Sequence, residues 1–595
     1  MVIHRTATYP YQDPALPVPE RVADLLSRMT LEEKAGQMFH AMVAMGPGGA
    51  LAEDPAQASR GLTARDMISG KQLTHFNLLG SGPARQIAEW HNRIQELAAG
   101  TRLGIPVTLS TDPRHSFTDN PGTASRAGAF SQWPEPIGLA ALRDADTVRR
   151  FADTVRREYV AVGLRVALHP QLDLATEPRW SRSSGTFGED AELAARLGVA
   201  YLEGLRGGDE LGPDSVSAMV KHFPGGGPQK DGEDPHFPYG KEQIYPGGRF
   251  DYHLEPFRAA IAAGVTQVMP YYGVPMGIAY EEVAFGFNQG VITGLLREQL
   301  GFAGIVCTDW GIITDHDIMG EPHAARAWGV EHLTPAERVR LALTAGVDQF
   351  GGEACPELVV ELVRSEQIPE SRIDRSVARL LAEKFRLGLF DERRYVDPDL
   401  AEETVGGAGF VEQGAEAQRR SVTLLKNSGE LLPLTGRPKL YVDGADPAVA
   451  GRYGEIVADP ADADLAVLRR TAPHEPRPGR FESFFHSGRL DFPAEQLTEM
   501  LDVLHAVPTI VVIHLERPAV IPELAEHAAA VLGVYGTDDE ALFDVLFGRA
   551  EPQGRLPFPL PRSMAEVESG RPDVPSDNPD PLYPFGAGLR YQAGG

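Results

Sequence analysis

The stretch LGIPVTLS at residues 103–110 is rich in aliphatic and β-branched side chains and is typical of a buried strand. A helical window follows it, with Phe151, Val155 and Tyr159 on one face, and leads into a second strand-like run, LRVALH, at 164–169. A strand, an amphipathic helix and another strand in this order predict two parallel strands joined by a crossover helix. The sequence therefore favours an α/β fold.

The same unit recurs along the first two thirds of the chain. The further segments are a helix carrying Leu193, Leu197, Tyr201 and Leu205, the strand-like VSAMVKHF (216–223), a helix near 254–264, TQVMPYY (266–272), a helix near 288–300, GIVCTDW (304–310), and a helix with Thr334 as N-cap, Pro335 in its first turn and Glu337 as capping-box acid, which runs toward VDQFGG. So many consecutive units predict a closed (β/α)8 barrel of the TIM type.

A second domain is expected after the barrel because 595 residues exceed what one hydrophobic core usually organises. The strand-helix rhythm breaks between 391 and 415, where the sequence is rich in charge, Pro and Gly. We therefore predict a catalytic barrel over 1–390, a linker over 391–415 and an α/β sandwich domain over 416–595. Its strand-like runs are KLYVDG, DLAVLRR, PTIVVIHL and AAVLGVYG, with a helical window at 494–506.

Composition excludes several classes of function. The net charge of −27, from 83 acidic and 56 basic residues, disfavours nucleic acid and anionic membranes as partners. Cys307 and Cys355 are too few for a disulfide framework or a structural zinc site, and no HExxH-type histidine spacing occurs. No signal-peptide core or long apolar run is seen, so a cytoplasmic location is expected. Oligomeric state is not predicted.

Polar side chains follow the predicted strands at the edge where a parallel barrel builds its active site. They are Asp112, Arg179 in the loop after LRVALH, Lys221 and His222, Tyr272, and Asp309 with Trp310. Each alone has an ordinary structural explanation, such as a helix cap or a salt bridge. Together they predict a polar pocket that binds a multiply hydroxylated ring, in which the Asp309 carboxylate attacks an anomeric carbon and Trp310 offers an apolar face.

Several motifs resemble glycoside hydrolase family 3, and the resemblance covers nearly the whole chain. In the barrel half they are RVADLLSRMTLEEKAGQM (21–38), PRWSR with FGED, KHFPG (221–225) and CTDWG (307–311). In the second half they are FRLGLF (385–390), SVTLLKNSGELLPL (421–434), GRLPFPLPRS (554–563) and PLYPFGAGL (581–589). The resemblance implies a retaining exo-acting β-glycosidase, expected to be a β-glucosidase, that needs no metal or organic cofactor.

The resemblance also implies roles for individual residues. Asp309 would be the nucleophile, and Asp112, Arg179, Lys221, His222 and Tyr272 would hold the sugar, beside Trp310. The acid/base would be a glutamate from the second domain, where DLAVLRRTAPHEPRPGRFESFF offers Glu475 and Glu482. Glu475 is the expected residue because it follows the strand at the spacing that the family motif suggests.

Departures from the family pattern leave other interpretations open. Ser116 and Gly185 stand where the family often has Gly and Glu, and Gly226 replaces a histidine. The run KHFPGGGPQKDGEDPHF also resembles the β-N-acetylglucosaminidase branch, in which Asp234 and His236 would form the acid/base. Two interpretations lie outside glycoside hydrolysis: an aldolase with Lys221 as a Schiff base, and a sugar-binding protein without catalysis.

Overall fold

The computed structural model describes residues 9–591 and contains the predicted barrel. Of eight parallel strands, the first seven are hydrogen-bonded to one another in chain order, and the eighth pairs with the first. Cys307, beside the seventh strand, pairs in parallel with Gln349, beside the eighth, and this contact closes the sheet on itself. The strands are Phe39–Ala44, His75–Leu79, Thr108–Thr111, Leu164–Ala167, Ser217–Phe223, Gln267–Pro270, Ile305–Val306 and Phe350–Gly351.

The first two strands, FHAMVA and HFNLL, precede the stretch in which strands were predicted from sequence.

Helices surround the barrel. The helices are Val18–Arg28, Leu31–Gln37, Ala84–Ala99, Pro136–Leu142, Ala145–Ala161, Ala191–Arg206, Phe250–Ala262, Gly290–Gln299, Pro335–Ala345, Pro356–Arg364 and Glu370–Arg386. The predicted N-cap is present, because Thr334 N donates to Glu337 Oε2 at 2.8 Å and Glu337 N donates back to Thr334 Oγ1 at 3.4 Å.

Two apolar layers follow from the alternation of side chains along buried strands. Inside the barrel, Val166, Met219, Met269 and Cys307 form a small cluster against which Trp310 packs. The main core lies between the outer strand surface and the helices. Trp310 thus stands on the apolar floor of the barrel mouth.

Two helices, Pro398–Thr404 and Ala408–Ser421, connect the barrel to a six-stranded sheet. They occupy most of the segment predicted as a linker, and the exact division of the chain at 391–415 stays a prediction. The sheet has the order first, sixth, fifth, fourth, second, third, and its first strand is antiparallel to the sixth. Its strands are Thr423–Asn427, Lys439–Asp443, Glu455–Ile456, Leu465–Thr471, Thr509–His514 and Ala530–Val534.

Helices cover both faces of this second sheet, as expected of an α/β sandwich. Successive residues of one strand, such as Val511 and Val512, point to opposite faces and belong to different apolar clusters. Ile137 of the barrel domain enters one of these clusters, so the two domains share apolar packing. The helices of this domain are Pro447–Ala450, Ala494–Ala506, Pro522–His527, Asp539–Leu546 and Met564–Ser569.

No helix between residues 9 and 591 is long and apolar enough to cross a membrane. The cytoplasmic location stays a prediction.

Candidate active site

A cavity of about 320 Å³ opens at the carboxyl end of the barrel strands. Its walls contain most of the polar residues that were predicted from the strand ends, together with an apolar rim. The lining includes Asp112, Arg182, Lys221, His222, His236, Tyr272, Asp309, Trp310 and Phe481. This placement follows from parallel strands that all point their carboxyl ends to one face.

Asp309 lies at the floor of the cavity. Its Oδ1 accepts a hydrogen bond from Trp310 N at 2.8 Å, whereas its buried Oδ2 has no hydrogen-bond partner within residues 9–591. Burial raises the pKa of Asp309 to about 6, and the nearby Arg182 charge opposes this shift. Asp309 therefore presents an ionised oxygen to the cavity at neutral pH.

His222 faces Asp309 across the floor, with its Nε2 3.9 Å from Asp309 Oδ2. Its Nδ1 donates to Asp173 Oδ2 at 2.7 Å, and its backbone N donates to Asp173 Oδ1 at 3.1 Å. Burial holds the pKa of His222 well below its ordinary value. The neutral imidazole thus turns an acceptor nitrogen toward the cavity, able to bind a sugar hydroxyl.

Lys221 and Asp112 form an ion pair on the neighbouring wall. Lys221 Nζ lies 3.2 Å from Asp112 Oδ1, and Asn77 Nδ2 donates to Asp112 Oδ2 at 3.0 Å. These contacts leave Lys221 with further donor capacity and Asp112 with further acceptor capacity, which matches the two-way hydrogen bonding of vicinal hydroxyl groups.

Tyr272 and Trp310 complete the floor. The Tyr272 hydroxyl donates to Trp310 O at 2.6 Å, which fixes the peptide next to Asp309. The Trp310 ring packs closely on Gly351, where an added Cβ would lie 2.5 Å from the indole. A glycine is therefore required beneath this ring.

The structure places Arg182 in the cavity and Arg179 outside its lining. Arg179 Nε donates to Glu177 Oε1 at 2.8 Å and Nη2 donates to Glu177 Oε2 at 3.0 Å, so a bidentate pair holds it away. Arg182 is buried, and its Nε and Nη1 lack hydrogen-bond partners among the described residues. Since an unpaired buried guanidinium is costly, Arg182 is the better candidate to bind a ligand.

The two candidate glutamates lie apart from this cavity. Of the described residues in the 474–487 loop, Phe481 lines the cavity and Glu475 and Glu482 do not. Glu475 is exposed, and Glu482 accepts a hydrogen bond from the Tyr239 hydroxyl. The sequence-based preference for Glu475 rested on the spacing after a strand that the family motif suggests, and this spacing does not determine how the loop folds back.

His236 reaches the cavity instead, from the loop after the fifth barrel strand. Its Nδ1 donates to Asp234 Oδ1 at 2.6 Å, and its ring centroid lies 4.9 Å from that of Tyr272. Asp234 and His236 are both buried. The structure therefore brings an imidazole with a carboxylate partner beside the Asp309 floor.

Comparisons with known proteins agree with this architecture. The "Glycosyl hydrolase family 3 N terminal domain" model matches residues 30–382, and the corresponding C-terminal domain model matches 450–591. The chain is 53% identical to "Probable beta-glucosidase C" of Aspergillus flavus, over 98% of this chain and 92% of that protein. It is 42% identical to "Periplasmic beta-glucosidase/beta-xylosidase" of Dickeya chrysanthemi, over 98% and 91%.

Solved structures share the fold. A β-glucosidase from Erythrobacter marinus superposes with a TM-score of 0.80 at 24% identity, over 99% of this chain and 85% of that one. Two family models in the expected order and full-length relatives above 40% identity leave one conclusion: the chain belongs to glycoside hydrolase family 3 and is a glycoside hydrolase.

Proposed function

We propose that this glycoside hydrolase is an exo-acting retaining β-glucosidase in which Asp309 is the nucleophile. The observation that carries the proposal is that Asp309 Oδ2, at the floor of a cavity of about 320 Å³, has no hydrogen-bond partner in the described part of the chain. The names of the Aspergillus flavus and Dickeya chrysanthemi relatives support a β-glucosidase.

Glycone binding is assigned to the charged wall. Lys221, Asp112 and His222 offer donors and acceptors that neighbouring residues only partly use, and Arg182 offers two nitrogens, Nε and Nη1, that have no hydrogen-bond partner among the described residues. A terminal glucosyl ring would satisfy them with its hydroxyl groups while Trp310 packs on its C–H face. We assign this role to Arg182 in place of Arg179.

The acid/base is assigned to His236, positioned by Asp234. His236 lines the same cavity as Asp309, and its Nδ1 contact leaves Nε2 for proton transfer. This is the residue pair that resembles the β-N-acetylglucosaminidase branch, but the names of the relatives favour a glucosyl substrate. Glu475 is exposed outside the cavity, which argues against the earlier expectation.

The reaction follows in two displacements. Asp309 attacks the anomeric carbon, the glycosidic C–O bond breaks, and protonated His236 gives its proton to the leaving oxygen. Neutral His236 then takes a proton from water, which attacks the same carbon and releases Asp309 and β-glucose. Burial lowers the pKa of His236 to about 4, against the raising effect of Asp234, so protonation limits the first step for poor leaving groups.

The decisive experiment combines labelling with two variants. A 2-fluoroglucosyl inactivator followed by peptide mass spectrometry should label Asp309. His236→Gly should slow an alkyl β-glucoside at least about 100-fold and a dinitrophenyl β-glucoside much less, with recovery by azide, whereas Glu475→Ala should stay within about threefold of the parent protein. Azide rescue of Glu475→Ala in place of His236→Gly would return the acid/base to the second domain.

Glycone identity needs its own measurement. Rates on the nitrophenyl β-glucoside, β-xyloside and β-N-acetylglucosaminide of the same leaving group should be highest for the glucoside. A preference for the acetamido sugar would replace the glucosidase proposal with the β-N-acetylglucosaminidase alternative. Turnover of none of the three would contradict the glucosidase proposal.

A further inference from the structure

Two histidines and a glutamate meet where the two ends of the 474–487 loop lie side by side, and none of the three lines the cavity above Asp309. His486 and Glu516 line an adjoining cavity that shares Arg182 and Lys221 with it. His474 and His486 lie at the two ends of the loop, where Glu475 N donates to Ser487 O at 2.9 Å. Glu516 follows the adjacent strand Thr509–His514. The three residues come from three separate segments of the second domain, so the fold and not local sequence assembles them.

Their ligand atoms lie close together. His486 Nδ1 is 2.8 Å from Glu516 Oε1, and the His474 and His486 rings stack at 3.8 Å between centroids with an interplanar angle of 9°. The imidazole nitrogens and the carboxylate oxygen all lie within 4.8 Å of one another. Among residues 9–591, no other group of three or more His, Cys, Asp or Glu side chains meets that criterion.

We propose that His474, His486 and Glu516 bind a divalent transition-metal ion of the Zn²⁺ class. Two imidazoles and one carboxylate are a common Zn²⁺ ligand set, which leaves a fourth position for water. Zn²⁺ bonds of roughly 2.0–2.1 Å in a tetrahedral arrangement require ligand atoms about 3.3 Å apart. His486 Nδ1 and Glu516 Oε1, at 2.8 Å, lie about 0.5 Å closer than this, so the ion would take the place of the hydrogen bond between them.

Binding requires one movement. Two parallel stacked rings point their nitrogen lone pairs into parallel planes, so a single ion between them needs one ring to turn. His474 is exposed, and its side chain can turn toward the His486 and Glu516 pair at little cost in packing. Glu516 and His486 are partly buried, with side-chain exposures of 19% and 35%, and form the fixed part of the site.

The ion would cross-link the two ends of the 474–487 loop, through His474 and His486, to Glu516 beside the sheet. The same loop carries Phe481 into the active-site cavity and Arg477 onto the barrel domain, where Arg477 Nη2 donates to Glu233 at 2.7 Å. The proposed role is therefore stabilisation of a loop that both domains share, and it does not depend on the identity of the substrate or the acid/base.

Calorimetric titration of the EDTA-dialysed full-length protein with ZnCl₂ at pH 7.5 tests the proposal. We expect one equivalent to bind with a micromolar or lower Kd, and His474→Ala and His486→Ala each to weaken binding at least about tenfold. Zn²⁺ should raise the Tm of the parent protein but not that of His486→Ala. MgCl₂ should give no such binding, since Mg²⁺ prefers oxygen ligands.

A second histidine pair in the same domain provides the matched control. His505 and His527 are both exposed, with ring centroids 4.9 Å apart, and lack a carboxylate at ligand distance in the described structure. His505→Ala should leave Zn²⁺ binding unchanged. Absence of stoichiometric binding by the parent protein, or equal binding by His486→Ala and the parent, would overturn the proposal. Glu516→Gln, with the shape retained, repeats the test if an alanine variant does not fold.

Discussion

Asp173 holds His222 from the side of the ring away from Asp309: its Oδ2 lies 2.7 Å from His222 Nδ1, while His222 Nε2 lies 3.9 Å from Asp309 Oδ2. Asp173 is completely buried and was not singled out from the sequence. Because the hydrogen bond to Asp173 keeps the proton on Nδ1, His222 presents its unprotonated Nε2 to the cavity as a hydrogen-bond acceptor.

Replacing Asp173 should therefore impair catalysis through His222. In Asp173→Asn the amide can present N–H to Nδ1 and reverse the tautomer, which would turn a donor toward the sugar. Loss of one charge-assisted hydrogen bond of about 1.5–3 kcal/mol corresponds to a fall in kcat/KM of about 10- to 100-fold. Steady-state rates on an aryl β-glucoside measure this, and an unchanged kcat/KM in a folded variant would contradict it.

The pH dependence of kcat/KM should report the ionisation of the buried nucleophile, Asp309. Burial raises the pKa of Asp309 to about 6, so the fraction of free protein with an ionised Asp309 falls as the pH drops below that value. We expect log(kcat/KM) for a dinitrophenyl β-glucoside, which needs little acid assistance, to decline below about pH 6. A plateau that extends down to pH 4 would contradict the assigned burial of the carboxylate.

Substitutions of the two arginines of PRWSR should differ sharply in their effect on kcat/KM. Arg182→Gln removes a charge that lowers the Asp309 pKa, so it should move the acid limb of kcat/KM to higher pH and reduce the maximum by about 100-fold. Arg179→Gln, its matched control, breaks a pair with Glu177 outside the cavity and should leave the limb in place. Equal effects of the two substitutions would remove the distinction between them.

Gly351 should tolerate no side chain. An added Cβ would lie 2.4 Å from Thr308 O and 2.5 Å from Trp310, so Gly351→Ala should displace the indole, destabilise the protein by about 1–3 kcal/mol and raise KM. Gly294→Ala is the control, because nothing lies within 4 Å of its added Cβ in the Gly290–Gln299 helix. Thermal melting and KM measured on both variants would show whether the effect is specific to the indole.

The barrel and the grouping of strand-end residues could be predicted from sequence because parallel strands impose one rule on every loop. Asp112, Lys221, His222, Tyr272 and Asp309 lie within three residues of the carboxyl ends of strands, and the structure places all five in one cavity. Arg179 and Arg182 are three residues apart in a turn, where that rule gives no direction. The useful signal was Glu177, a carboxylate close enough in sequence to form an ion pair with Arg179 and so to leave Arg182 for the cavity.

Long loops were less predictable. Phe481 reaches the cavity, whereas Glu475, nearer the strand, does not, because the path of the loop depends on contacts with the barrel such as Arg477 with Glu233. The His474, His486 and Glu516 group escapes spacing rules for the same reason. Asp173 had a weak signal, as the one charged residue in the run PQLDLAT (170–176) that follows LRVALH.

The Phe481 contact means that the floor and the rim of the cavity are encoded in different halves of the gene. A hybrid of two relatives joined within the connecting helices Pro398–Thr404 and Ala408–Ser421 would take the cavity rim from one parent and the cavity floor from the other. In such hybrids, tolerance for different leaving groups should be inherited with the carboxyl-terminal half, while the preferred sugar stays with the amino-terminal parent.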